Sequence, residues 1–205
     1  VSAYRVIGLD LSLTSTGLSD GRQHTVVQTT PDDRLERRVD RIVACARRFA
    51  VGTADWPQEA DLAVIEAGAF SLGAQSAVAE HLSALRIMVR HAMWQLGVPF
   101  AMVPPTTLKL YTAGHGKASK AQMVRAVAER HQLDLSHVMV KDGRYDMADA
   151  FALAAMGYAW AGRPLVTVGP PPPRASLMAV PWPSASHPDL SVPGQPVQDN
   201  VPERI

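Results

Sequence analysis

Four acidic side chains stand where folding would bring carboxylates together. Asp10 ends the β-rich run Tyr4-Arg5-Val6-Ile7-Gly8-Leu9, and Glu66 ends a second apolar run, Asp61-Leu62-Ala63-Val64-Ile65. Asp146 and Asp149 are three residues apart, so a helix places them on one face, just ahead of Phe151-Ala152-Leu153-Ala154-Ala155. Burying like charges side by side is costly unless a cation or hydrogen-bond donors neutralise them. Hard carboxylate oxygens suit Mg²⁺, with Mn²⁺ able to substitute. Two such ions held about 4 Å apart support phosphoryl transfer, one activating water and the other stabilising the leaving oxygen. A phosphodiester is the substrate this chemistry suggests. Taken singly, each carboxylate also has a structural explanation: Asp10 as a turn cap, Glu66 at a loop mouth, Asp146 and Asp149 as acidic residues at a helix start. Two strand ends and one helix face together are harder to account for in that way.

The elements that must position these groups can be read from spacing. A central strand runs from Tyr4 into Asp10, a turn through Ser12 to Thr16 and Gly17 leads into a second strand, and Asp20-Gly21 signals a hairpin before a third strand over residues 24–29. Pro31-Asp32-Asp33 then opens a helix in which Leu35, Val39, Ile42, Val43 and Ala46 recur at helical spacing, with Cys45 packed in it and Arg37, Arg38, Arg41 and Arg48 pointing elsewhere. The strand ending at Glu66 is followed by a Gly- and Ala-rich loop and a long helix over residues 76–96. Its core side reads as Val78, Leu82, Leu85, Val89 and Met93, leaving Met88 and Ala92 for a partner subunit. A strand over residues 100–103, a turn at Pro104-Pro105 and a short helix carrying Lys109 come next. The loop Gly114-His115-Gly116-Lys117 precedes helices over residues 119–131 and 145–160. The order is βββαβαβαα, the short lysine-bearing helix aside, which predicts an α/β domain: a mixed sheet with helices on its faces.

Composition narrows the classes. A chain of 205 residues with 47% hydrophobic content is long enough for one domain with a substantial core. The single Cys45 permits neither an internal disulfide nor a cysteine zinc cage, so a reducing compartment, the cytoplasm, is expected. No basic-then-apolar leader follows Val1, and residues 150–162 are too short a charge-free run to span a bilayer, so secretion and a membrane partner are not expected. The net charge of +1 is neutral on nucleic-acid binding, but residues 105–131 hold Lys109, Lys117, Lys120, Arg125 and Arg130 against Glu129 alone, a local +4. Of 16 prolines, 11 lie between residues 164 and 202, so the domain is placed at residues 1–162 and residues 163–205 read as a disordered tail, with Trp182 exposed on it.

A family resemblance joins these motifs. Ile7-Gly8-Leu9-Asp10-Leu11-Ser12-Leu13-Thr14-Ser15-Thr16-Gly17 resembles the opening strand and turn of the RuvC-type Holliday junction resolvases, and Ala63-Val64-Ile65-Glu66 their second acidic strand. Lys109 through Gly114-His115-Gly116-Lys117-Ala118-Ser119-Lys120 resembles their lysine-bearing loop, and Asp146-Met147-Ala148-Asp149-Ala150 their terminal D-x-x-D-A helix. The likeness covers roughly residues 4–160, and the joint order of the motifs makes it specific. It implies an RNase H-like fold with a five-stranded mixed sheet. It also implies a homodimeric crossover junction endodeoxyribonuclease of a bacterial or phage-infected cell, which resolves four-way DNA junctions by paired symmetric nicks in recombination and repair. Asp10, Glu66, Asp146 and Asp149 would then bind two Mg²⁺ ions per site, and water attack would leave a 3′-hydroxyl and a 5′-phosphate. Lys109 and Lys120 fall where the family places basic residues beside the scissile phosphate, where they would stabilise developing charge. Lys117, His115 and Arg125 would contact backbone phosphate, and a branch-migration helicase is a possible partner that no residue of the sequence identifies. The family commonly has an aromatic three residues after the second acidic ligand. Here that position is Ala69, and its neighbour Phe70 is the candidate for base stacking.

Other classes remain on the page. A broader RNase H-like nuclease acting on flaps, forks or hybrids would use the same carboxylates. An actin-like ATP-binding protein would also carry Gly8-Leu9-Asp10 before Ser and Thr residues, although such proteins need two domains of this size. A non-catalytic junction-binding protein is the third. Gly-His-Gly-Lys is not a phosphate-binding Walker loop, since Tyr111 stands at the first glycine position and Ala118 at the Ser/Thr position. His24, His81, His91, His131 and His137 show no paired metal-ligand spacing, and no nucleophile elbow is present.

Overall fold

The computed structural model describes residues 4–52, 57–68, 77–169 and 171–184. Five strands form one sheet in the order β3-β2-β1-β4-β5: β1 Val6–Asp10, β2 Ser15–Ser19, β3 His24–Gln28, β4 Leu62–Glu66 and β5 Phe100–Val103. The first three are antiparallel and the last two run parallel to β1, so the sheet is mixed. Helices α1 Leu35–Val51 and α2 Ala77–Gln95 cover one face. On the other lie α3 Pro105–Ala113, α4 Lys120–His131, α5 Arg144–Trp160 and the short α6 Arg174–Met178. Alternation along β1 explains both cores: Ile7 and Leu9 pack toward α1 and α2, Val6 toward α5. Asp10 shares the parity of Val6, and Glu66 shares that of Leu62 and Val64, whose side chains also join the α5-side core. Both strand-end carboxylates therefore belong to the face that α5 covers, and the pairing of Leu9 with Ile65 sets them side by side.

Glycine fixes how closely α5 approaches. A Cβ on Gly8 would fall 2.0 Å from the Ala150 carbonyl oxygen, and one on Gly17 2.1 Å from that of Asp146. Only hydrogen fits there, and the small Ala150, Ala154 and Gly157 on the helix side complete the contact. Asp10 pairs with Gly17 across β1 and β2, so the same close contact that seats α5 brings its first turn to the end of β1.

Several local expectations need correction. Pro31-Asp32-Asp33 does not open α1 but closes a turn, with the Asp33 amide donating to Thr30 O at 3.2 Å, and the helix begins at Leu35. On α2, Val78 is 67% exposed rather than core, whereas Ala92 is buried against the molecule's own core and is not free for a partner. Ser76 lies outside the described residues. The chain also does not leave the body at Gly162. The Val168 amide donates to Arg130 O at 2.7 Å, Leu165 lies against Gly21, and Val180 is buried. Trp182 stacks on Trp160 with centroids 4.9 Å apart, and its indole N–H donates to Leu177 O at 2.8 Å. The prolines rule out a long regular element, yet Leu177, Val180 and Trp182 supply enough apolar surface to dock the segment against α3 and the end of α5. Residues 163–169 and 171–184 therefore run against the body; residues 170 and 185–205 lie outside the described residues.

Buried Arg5 is a structural group hidden in the sequence by its apolar neighbours. Its Nε donates to Asp20 Oδ2 at 3.0 Å, and its Nη1 donates to Phe49 O at 2.8 Å and Gln58 O at 2.9 Å. Asp20 in turn accepts the amides of Arg22 and Gln23, so one ion pair ties the β2–β3 turn to the end of α1. Such a pair is costly to break from one side, by about 3–5 kcal/mol.

Candidate active site

Asp10, Glu66, Asp146 and Asp149 converge at the C-terminal ends of β1 and β4. Asp10 and Glu66 stand side by side at the ends of β1 and β4, each within electrostatic reach of the other. Burial pushes the Asp10 carboxyl well above its ordinary range, reinforced by Glu66, then Asp149 and Asp146. Glu66 is also raised, chiefly by burial, with Arg86, Lys120 and Lys109 working in the opposite direction. Asp149 is pushed up to about 7 by burial and by the charge of Glu66. A group of carboxyls held this close and this dry is short of positive charge.

Asp146 stands at the rim and is held by two partners. Ser15 Oγ donates to its Oδ2 at 2.5 Å, and Lys120 Nζ lies 3.8 Å from its Oδ1. Ser15 was not singled out in the sequence. Its hydroxyl is placed by the turn before β2, where Ser12 N donates to Thr16 Oγ1 at 3.1 Å and Thr16 Oγ1 donates to Ser12 O at 2.6 Å. Lys120 is the first residue of α4, whose start is fixed by a capping box between Ser119 and Gln122. Its ammonium also lies 5.7 Å from the centre of the Tyr145 ring. Lys109, half-buried on α3, is close enough to act electrostatically on Glu66 and Asp149. Pro105 at the start of α3 and Gly114 in the left-handed conformation at its end set the length of that helix.

The other expected contacts are less convergent. Lys117 and His115 are exposed in the loop between α3 and α4, and Arg125 is exposed on α4 with its Nε donating to Glu129 Oε1 at 2.6 Å. Phe70 and Ala69 lie outside the described residues. His24 and His131 both pack edge-on to Phe151, away from any ligand role. Arg86 on α2 was missed by sequence reading, and it donates from Nε to Glu66 O at 3.3 Å.

Among the described residues no three His, Cys, Asp or Glu side chains form a ready-made metal cage as they stand. The donor set nevertheless fits a hard divalent cation. Carboxyl oxygens from two strand ends and one helix face one small volume, and burial raises both Asp10 and Glu66, so positive charge is needed there.

A crossover junction endodeoxyribonuclease RuvC of Corynebacterium glutamicum is 34% identical over 131 residues, covering 58% of this chain and 55% of the relative. The solved structure of Thermus thermophilus RuvC superposes with a TM-score of 0.55 at 24% identity, covering 80% of this chain and 98% of that one. The same protein in complex with a Holliday junction substrate gives 0.60 at 23% identity, covering 81% and 100%. This chain is similar to RuvC in sequence over part of its length and has the RuvC fold. The match to the Corynebacterium RuvC takes in only about half of that protein's length. No family profile matches the chain. The RuvC resemblance read from the motif order and the mixed five-stranded RNase H-like sheet are both borne out. No helix among the described residues is long and apolar enough to cross a membrane.

Proposed function

We propose that this chain is a Mg²⁺-dependent endonuclease that cuts branched DNA, with the four-way junction as its substrate. The observation that carries the proposal is the convergence of Asp10, Glu66, Asp149 and Asp146, flanked by Lys120 and Lys109. Support for the junction comes from relatives named as a crossover junction endodeoxyribonuclease and seen with a Holliday junction substrate.

Asp10, Glu66, Asp146 and Asp149 would hold the cations, two per site, with Mn²⁺ able to substitute. Bound there, divalent cations lower the pKa of water and neutralise charge on the phosphate. The chain's own groups do the rest. Ser15 holds Asp146 by one oxygen, leaving the other toward Lys120. Lys120 and Lys109 approach from α4 and α3 and would stabilise negative charge building on the phosphate oxygens. Lys117 and His115, exposed in the adjoining loop, would meet the DNA backbone, as would Arg125 on exchange of its Glu129 partner, and Phe70 would stack on bases. Two symmetric nicks require two copies. Ile87, Met88 and Trp94, exposed on the outer side of α2, supply the apolar surface for a homodimer. A cytoplasmic setting accords with the free Cys45 thiol.

The test is cleavage of a synthetic four-way junction beside flap, fork and RNA–DNA hybrid substrates, with and without Mg²⁺, by wild type and Asp10→Asn. Junction cutting that needs Mg²⁺ and is abolished in the variant is expected. Equal cutting by the variant overturns the site, and preference for the other substrates overturns the junction.

A further inference from the structure

The Glu66–Ala67 peptide is held on both of its polar atoms. Its N–H, from Ala67, donates to Val103 O at 2.8 Å on β5, and its C=O, from Glu66, accepts Arg86 Nε at 3.3 Å from α2. A peptide gripped at both ends cannot rotate, so the direction in which the Glu66 side chain leaves the strand is fixed. Arg86 is half-buried beside the core residues Leu85 and Val89, an unusual place for a guanidinium. Its charge lies within electrostatic reach of both Glu66 and Asp10, which offsets the cost of taking it from water. Room for it is made by a missing side chain, since a Cβ on Gly68 would stand 3.3 Å from Arg86 Nη1. Lys109 and Lys120 reach the carboxylates from helices on the α5 side of the sheet. Arg86 reaches them from the α1–α2 side.

We propose that Arg86 is a positioning residue for metal binding, clamping the Glu66 peptide so that the Glu66 carboxylate is aimed at Asp10 and Asp149 before any cation arrives. This role rests on the carboxylate reading of the site. Arginine suits it because one planar fork holds the carbonyl and keeps a fixed charge over two carboxylates. Lysine would keep the charge and lose the fork.

The experiment is Mn²⁺ titration by calorimetry on the full chain, for wild type, Arg86→Gln, Arg86→Lys, Gly68→Ala and Glu66→Gln, with urea midpoints measured alongside. Loss of a group that orients a metal ligand weakens metal affinity by roughly 10–100-fold. Arg86→Gln is expected to fall in that range, Arg86→Lys between it and wild type, and Gly68→Ala to shift the same way by less, because there the guanidinium is displaced rather than removed. The Mg²⁺ midpoint for cutting should rise by the same factor, with the rate at saturating Mg²⁺ close to wild type. Unchanged Mn²⁺ affinity in Arg86→Gln and Gly68→Ala, with only the urea midpoint lowered, overturns the role while leaving the site intact. Wild type that binds Mn²⁺ no better than Glu66→Gln overturns the carboxylate reading and the Arg86 role with it. Should Arg86→Gln fail to fold, Gly68→Ala and Arg86→Lys decide the question.

Discussion

The backbone of Gly8 touches the backbone of Ala150 so closely that an added methyl group would stand 2.0 Å from the Ala150 carbonyl oxygen. Neither backbone can yield without moving an entire element. Gly8→Ala should therefore cost more than the roughly 1–3 kcal/mol of ordinary overpacking. Urea unfolding would show it, and Gly17→Ala, aimed at the Asp146 carbonyl, should behave alike. A Gly8→Ala protein within about 1 kcal/mol of wild type would mean that α5 is seated differently.

A second prediction sets stability against function. Asp10 is buried among like charges, and without metal Asp10→Asn removes a repulsion while keeping the shape. Its melting temperature should rise by roughly 2–8 °C in EDTA, since about 1 kcal/mol shifts the midpoint of a domain of this size by a few degrees. Mg²⁺ should raise the melting temperature of wild type and leave that of the variant nearly unchanged. A variant less stable than wild type in EDTA would show that Asp10 is held by donors rather than crowded by acids.

The pH dependence follows with a defined sign. Asp149 goes from the ordinary 3.8 to about 7 on folding, so the folded protein binds the proton more tightly than the unfolded chain. Its unfavourable contribution is absent below about pH 4, grows as pH rises toward 7 and is complete above that. Metal-free stability should thus decline from pH 4 to 7 and level off, with Asp149→Asn flattening the slope. Since cations and protons compete for the same oxygens, the Mg²⁺ concentration required for cutting should fall as pH rises through 7. Urea midpoints in EDTA across that range check the first statement, and Mg²⁺ titrations of cleavage the second.

Lys120 separates binding from chemistry. Its ammonium stands 3.8 Å from Asp146 and is otherwise largely in solvent, so its loss should hardly affect folding. Lys120→Ala should slow junction cutting by about 10²–10³-fold, the range for removing one group that stabilises transition-state charge. Junction affinity measured in Ca²⁺ should change far less. A loss of affinity equal to the loss of rate would make Lys120 a simple phosphate contact.

The docked segment gives a further prediction. Ending the chain after Gly162 removes Leu177, Val180 and Trp182 from their places against the core and bares Trp160. Stability should fall by about 2–5 kcal/mol relative to a chain ending after Ser184, given the burial of a Trp and two aliphatic residues. Equal urea midpoints for both truncations would show that the segment adds nothing.

Much of this was legible in the chain because period and punctuation agree. Apolar, β-rich runs marked β1 and β4, the helix read over residues 119–131 matches α4 to within a residue, and the three-residue spacing of Asp146 and Asp149 gave a helix face. The parity that places Asp10 and Glu66 on the same face was available too, once the strands were known to be parallel neighbours. Groups acting through backbone contacts were illegible. Ser15 reads as one of several turn hydroxyls, Arg5 as an interruption of a strand, and Arg86 as a surface position on a long helix. Each is defined by a partner distant in sequence, 131 residues away for Ser15 and Asp146. Proline density argues against regular structure, not against docking, so the docking of Leu177, Val180 and Trp182 was not legible from it.

The stack of Trp182 on Trp160 also sets where the rest of the chain departs. Trp160 closes the helix that Asp146 nearly opens, and 14 residues at 1.5 Å each separate them by about 21 Å. A domain or label joined after Ser184 would therefore be attached at the pole of the molecule opposite the carboxylates.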